Sequence, residues 1–267
     1  MSQFENILAE NLQVGRGTII HPSARITGAD GGPAHNIIIG DHCYIGEGVQ
    51  IRCPDFSLGD FGKIHHQTTV HGYLPCHVGH NAWIGQFCII DSIGGMTIGD
   101  NCGIGAHSQL WSHIKFGDTL EGCRFLSEKA MQIGKDVWFV GHCIVSPIVA
   151  EDRAMAMVGS VVTKDMKYNT IYAGSPAAEI SSKIGPQFAA PTLSEKIEKL
   201  KSHLEEIGAP RSIRIVADAS EALDDGHSYF IVSTRTYTKR GTDEEVAFMK
   251  YLLPARAKFT PEPASAT

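Results

Sequence analysis

The chain reads as a mainly β protein whose greater part is a parallel β-helix, followed by a small C-terminal α+β appendage. The first observation is a six-residue phrase that recurs in phase: Ile39-Gly40-Asp41-His42-Cys43-Tyr44, Val78-Gly79-His80-Asn81-Ala82-Trp83, Ile98-Gly99-Asp100-Asn101-Cys102-Gly103 and Ile133-Gly134-Lys135-Asp136-Val137-Trp138. Several copies run straight into a second, as Ile45-Gly46-Glu47-Gly48 and Ile84-Gly85-Gln86 do. A period of six fits neither the 3.6 of a helix nor a two-residue alternation. It suits a chain coiling through short strands, each hexad supplying one flat side and one turn. An aliphatic residue points inward on each side, a small residue four places later fills the remaining interior, and glycine allows the tight corner.

The second observation is an interruption. Hexads stop between Leu110 and Gln132, where Trp111-Ser112-His113-Ile114-Lys115-Phe116 leads into a polar stretch. A solenoid stacks best unbroken, so an excursion from a rigid coil is where function tends to sit. The third is the loss of the repeat beyond Gly185-Pro186. There Leu193, Ile197, Leu200, Leu204 and Ile207 stand at helical spacing among charged residues.

Taken in order, residues 1–34 form a lead-in and first rungs, with a short helix before Asn11 and rung-like phrases at Val14-Gly15-Arg16-Gly17 and Ile20-His21-Pro22-Ser23. Residues 35–185 form the β-helix, with side loops at Cys53–Gly62, Tyr73–His77 and 110–132. Residues 190–267 form the appendage. Its first helix runs from Ser194 to Ile207, ended by Gly208 with Pro210 beyond. Strands are expected at Ile213–Ala217 and Tyr229–Tyr237, a last helix at Asp243–Leu253 and a loose tail after Phe259.

Composition narrows the function. A length of 267 residues supports a full core, and a net charge of −6 without a basic run argues against nucleic acid or an anionic membrane surface. No apolar stretch is long enough to insert in a membrane, and the opening Met1-Ser2-Gln3-Phe4-Glu5-Asn6 lacks the regions of a signal peptide, so a cytoplasmic location is expected. The seven cysteines make no Cys-x-x-Cys pair. Cys43, Cys88, Cys102 and Cys143 occupy the small-residue position of their hexads, which points to packing rather than disulfides or metal.

The hexads, the looped-out His113, the Ile133–Trp138 phrase, Gly159-Ser160-Val161-Val162-Thr163-Lys164-Asp165 and Ala173-Gly174-Ser175-Pro176-Ala177 together resemble hexapeptide-repeat acyltransferases, and most of all their galactoside/maltose O-acetyltransferase branch. The resemblance spans roughly Ile37 to Ile180. It implies a left-handed β-helix, a homotrimer and an acetyl-CoA site between neighbouring coils. Apolar residues expected on the outer faces, Trp83, Ile89 and Phe139, agree with a trimer.

By position, the resemblance makes His113 the general base that takes the proton from the acceptor, a task suited to imidazole. It makes Asp91 an acceptor-site residue or an orienter of His113. Trp138, Gly141, Val158, Thr163 and Lys164 fall at positions lining the CoA tunnel. Two departures stand out: Ala150-Glu151-Asp152-Arg153-Ala154-Met155 replaces a regular hexad, and Met157-Val158 stands where small residues are usual, which narrows the expected donor tunnel. The implied activity is acetyl-CoA-dependent acetyl transfer to a sugar hydroxyl of a cell-surface glycan or its precursor, without a metal. N-acetylation of a nucleotide-linked amino sugar is the alternative acceptor chemistry. A third reading comes from His66 and His71, with His35 or His42 upstream: they resemble the zinc ligands of γ-class carbonic anhydrases.

Overall fold

The computed structural model describes residues 5–263. The chain divides into two compact units, Met1–Phe188 and Ala189–Thr267.

The first unit is a three-sided parallel β-helix. Its first face stacks Ala9–Val14, Ala34–Ile39, Asp55–Leu58, Cys76–Val78, Met96–Ile98, Met131–Ile133 and Val149–Ala150. The second carries Ile19–Ile20, Tyr44–Ile45, Lys63–Ile64, Trp83–Ile84, Gly103–Ile104, Trp138–Phe139, Met155–Ala156 and Ile171–Gly174, and closes with the antiparallel Ala177–Glu179. The third holds Arg25–Thr27, Gln50–Arg52, Thr69–His71, Ile89–Asp91, Gln109–Leu110, Ile144–Val145 and Val161–Val162.

Register explains the hexad. On the first face Ile39, Leu58, Val78, Ile98 and Ile133 pair in sequence and all point inward. Burying each such side chain is worth about 1.5–3 kcal/mol. Cys43, Cys88, Cys102 and Cys143 fill the interior four places after an inward aliphatic, at 0–2 % exposure. Glycine's part differs from the expected one. The left-handed backbone at the first corner falls on Gly17 in the first coil but then on His42, Phe61, Asn81, Asn101, Asp136 and Arg153, whereas Gly79 and Gly99 are required by crowding. A Cβ on Gly79 would lie 2.7 Å from the Asp100 nitrogen, and one on Gly99 2.8 Å from the Gly134 carbonyl carbon.

The corners are unequal. Every passage from first to second face takes four residues (15–18, 40–43, 59–62, 79–82, 99–102, 134–137, 151–154), and so does every passage from second to third (21–24 through 157–160). The third corner varies from two residues (53–54) to twenty (111–130). All excursions therefore leave along one edge.

Four expectations are corrected. Residues before Asn11 form no helix among those described: Ile7 bridges Ile26, and Ala9–Val14 pairs with Ala34–Ile39. Cys53–Gly62 is not a side loop, because Phe56 and Leu58 point inward from a strand and Phe61 takes the corner position. Phe139 is wholly buried, since it pairs with the inward Ile104. Ala150–Met155 keeps the coil, with Arg153 adopting the left-handed corner conformation at φ 61°.

In the second unit Thr192 caps the helix Leu193–Glu206 through a capping box. Ile213–Val216, Ser228–Ile231, Thr236–Tyr237 and Thr260–Pro261 form one sheet beside the helix Asp243–Leu252. Tyr229–Tyr237 is thus an antiparallel pair with a turn at Arg235, and residues 260–261 are a strand rather than loose tail. Phe230 lies at the centre, with Tyr237, Phe248 and Phe259 within 4.9–5.3 Å of its ring.

Candidate active site

The excursion at the third corner is a β-hairpin, with His113–Lys115 antiparallel to Leu126–Glu128. Its base is clamped to the coil. The Gly94 N–H donates to Ser112 Oγ at 2.8 Å, and the Lys129 N–H donates to the Ser112 carbonyl at 3.1 Å. His113 therefore starts an arm whose root is fixed, and its side chain is only 20 % exposed.

The partner of His113 is Asp91, the last residue of its strand on the third face. His113 Nδ1 lies 2.8 Å from Asp91 Oδ2, which also accepts from the Ser112 N–H and Ser112 hydroxyl at 2.7 Å each. Asp91 Oδ1 accepts from the Ile93 N–H at 3.2 Å. A carboxylate only accepts, so the hydrogen sits on Nδ1 of His113 and the lone pair of Nε2 remains for a proton. Asp91 itself is fully buried. Both its oxygens are engaged within the chain, one of them by His113.

Further groups gather on the same edge. His71 precedes Asp91 by one coil in exact register, its Nδ1 4.0 Å from Asp91 Oδ1. The Trp111 ring stands edge-on to both His71 and His113, at 6.4 and 6.1 Å between centroids. A hollow of about 330 Å³ opens beside His71, lined by Arg52, Thr69, His71, Tyr73 and Ile93 among others. Ser112, Arg52 and Tyr73 escaped the sequence reading; only Ser112 carried a signal, its place beside His113. A larger, more open depression of about 560 Å³ over Thr97, Gln132, Val149 and Tyr168 lies on the first face and contains no histidine.

The residues expected to line a donor tunnel do not converge within one chain. Thr163 and Lys164 follow Val161–Val162 at the third corner, on the edge that carries His113. Gly141 and Val158 belong to the passage from second to third face, and Trp138 is a half-exposed residue of the second face beside Gly103. Val158 is 63 % exposed and fills no interior tunnel of its own coil.

The zinc reading finds no geometry. His66 stands at the second corner against the Phe87 ring, 5.5 Å away, and His71 at the third. His42 stacks on Phe61 at the first corner, and His35 faces Asp55 on the first face. Among the described residues no three His, Cys, Asp or Glu side chains converge to hold a metal.

No protein-family model matches the chain. Among curated proteins, the bifunctional protein GlmU of Anaplasma marginale, strains Florida and St. Maries, is 31 % identical over 114 residues, covering 41 % of this chain and 24 % of the relative. The chain thus spans about a quarter of the length of the curated relatives it matches. Similar solved structures include the following three. The polySia-specific acetyltransferase NeuO covers 74 % of this chain and 95 % of its own at 21 % identity and a TM-score of 0.44. A maltose O-acetyltransferase from Clostridium difficile 630 covers 55 % and 67 % at 22 % identity and a TM-score of 0.34. AntD, an N-acyltransferase from Bacillus cereus in complex with dTDP and 3-hydroxybutyryl-CoA, covers 74 % and 92 % at 15 % identity and a TM-score of 0.46.

Proposed function

We propose that the chain is an acetyl-CoA-dependent acetyltransferase of the hexapeptide-repeat kind, its coil left-handed, acting on a sugar hydroxyl of a cell-surface glycan or its precursor. The carrying observation is the His113–Asp91 pair, held at the root of an arm, with His71 between Asp91 and an open hollow. The acceptor hydroxyl approaches Nε2 of His113. Nε2 takes its proton as the oxygen bonds to the thioester carbonyl carbon. The carbon–sulfur bond then breaks, the CoA sulfur leaves with the bonding pair, and the proton returns from Nε2 to that sulfur. Asp91 holds the ring and stabilises the imidazolium that forms between the two steps. No acyl-enzyme is required, since alignment of two bound substrates supplies much of the rate.

The donor is the co-substrate acetyl-CoA. Thr163 and Lys164 fit its polar end: Lys164 is exposed and able to meet a phosphate, on the same edge as His113. Gly141, Val158 and Trp138 lie on other edges, so a complete donor cleft needs a second copy of the chain, as in a trimer. The site belongs in the cytoplasm, where acetyl-CoA is made. An amine acceptor on a nucleotide-linked sugar is served by the same base.

The test mixes acetyl-CoA with a panel of glycosides, nucleotide sugars and polysaccharide fragments and follows CoA release, beside calorimetry of CoA binding. Release with one acceptor and micromolar to millimolar CoA affinity are expected. No CoA binding up to millimolar concentration would remove the reading.

A further inference from the structure

The hollow beside His71 contains one strong, unspent charge. Arg52, His71 and Asp91 are equivalent residues of three successive coils, paired in register as Arg52 with His71 and His71 with Asp91. Coils stack about 4.8 Å apart, so the Arg52 backbone lies about 10 Å below that of Asp91. The Arg52 side chain is exposed, lines the hollow, and meets no carboxylate among the described residues. The neighbouring acids are engaged elsewhere: Asp91 with Ser112 and His113, Asp30 with the Gly32 N–H at 2.9 Å, and Asp55 with Asn36 at 2.6 Å. Tyr73, 71 % exposed, and Thr69 add a flat ring and a hydroxyl to the wall.

A neutral sugar makes poor use of such a site. A guanidinium presents a planar fork of donors that matches a carboxylate or phosphate with two parallel bonds. The two-coil spacing from Arg52 to Asp91, the partner of the base, is about the length of one to two sugar units. An anion seated on Arg52 would therefore leave a hydroxyl of the same or the adjoining unit at His113. Resting on the acetyltransferase reading of this site, we propose that the acceptor is anionic, and that Arg52 selects it by binding its carboxylate or phosphate while His71 and Tyr73 flank the ring.

Binding is measured by calorimetry on the full chain with glucuronic acid, glucose 1-phosphate and glucose, for the wild type, Arg52→Gln and Arg52→Lys. Loss of a charge-assisted pair corresponds to roughly 10–100-fold. The wild type is expected to favour one of the two anions over glucose by about that factor, and which anion wins identifies carboxylate or phosphate. Arg52→Gln is expected to remove the preference, and Arg52→Lys to restore part of it. Equal affinity for all three ligands, or a preference that survives Arg52→Gln, overturns the proposal. The readout needs no donor: Arg52-dependent anion binding beside no CoA binding up to millimolar concentration would sink acetyl transfer and leave anion selection standing. With a productive acceptor, the KM of Arg52→Gln should rise at least ten-fold more for the anionic than for the neutral substrate.

Discussion

Thr68 and Ser160 occupy the same inward position, four coils apart, yet of the two only the Thr68 hydroxyl is hydrogen-bonded. It donates to the Gly85 carbonyl at 2.7 Å and accepts the Cys88 N–H of the coil above at 3.1 Å. Between them Ser108 accepts the Cys143 N–H at 3.2 Å. Ser160 directly precedes Val161–Val162, the last strand of the third face, so no further N–H descends to it, and its buried Oγ has no partner among the described residues.

Removing a bonded buried group strands its partners, whereas removing an orphan does not. Thr68→Val should destabilise by about 1–3 kcal/mol, and Ser160→Ala should be neutral or stabilising. Chemical denaturation of both variants decides; a large loss at Ser160 would show that its hydroxyl is in fact satisfied.

The His113–Asp91 pair makes a kinetic prediction. His113→Ala should lower kcat by about 10²–10⁴-fold while leaving CoA affinity close to that of the wild type. Asp91→Asn presents an amide to three donors of one network, so kcat should fall by at least about ten-fold and thermal stability with it. His66→Ala, on a different edge, should cost far less turnover. An inactive His66 variant beside an active His113→Ala would revive the metal reading.

Thiol chemistry follows from burial. Desolvation pushes Cys43 and Cys53 up to about 12 and Cys88 up to about 11, and raises Cys76 well above the ordinary thiol value. A thiol is the neutral form below its pKa, so these groups carry almost no reactive thiolate at neutral pH. Cys102 and Cys143 are equally buried, and only Cys123, on the excursion, is partly exposed. Titration with a thiol reagent at pH 7.5 should find one fast group, with the remaining six released by denaturant. Two or more fast groups would mean that the coil opens.

His65 makes a prediction in pH. Its ring lies between Tyr44 and Trp83, and burial, then Lys63 and His66, hold its pKa below 6.5. A folded value below the unfolded one means that the unfolded chain binds more protons as pH falls through about 6.5, so stability drops there. Melting temperatures of wild type and His65→Gln should converge, or cross in favour of the variant, between pH 7.5 and 5.5. A difference independent of pH would show that His65 does not titrate on unfolding.

The coil was legible in the sequence because each inward aliphatic announces itself every six residues. The missed rung at Asp55–Leu58 failed for a local reason: Phe61 stands where a small polar corner residue was sought, and the turn was read as a loop. Phe139 was set on the outside although it follows Trp138 directly and must alternate with it. His113 stands out in the sequence through the broken repeat, but its bond to Asp91 spans 22 residues and depends on the length of a coil. Arg52 was invisible because its column exists only once every corner has been measured. The secondary structure of the appendage was largely legible from helical spacing and capping residues, whereas the turn inside Tyr229–Tyr237 carries no glycine or proline to mark it.

The invariant four-residue passages at two corners and the free length of the third mean that the molecule tolerates added chain along one edge alone. Because Lys129 already hydrogen-bonds Ser112, the segment between them begins and ends at one spot. Beyond His113 it can be lengthened or exchanged for that of another protein without moving a single rung. The arm beyond His113 can therefore drift through evolution, or be re-engineered, while the rod beneath it, with Arg52 and Asp91, stays untouched.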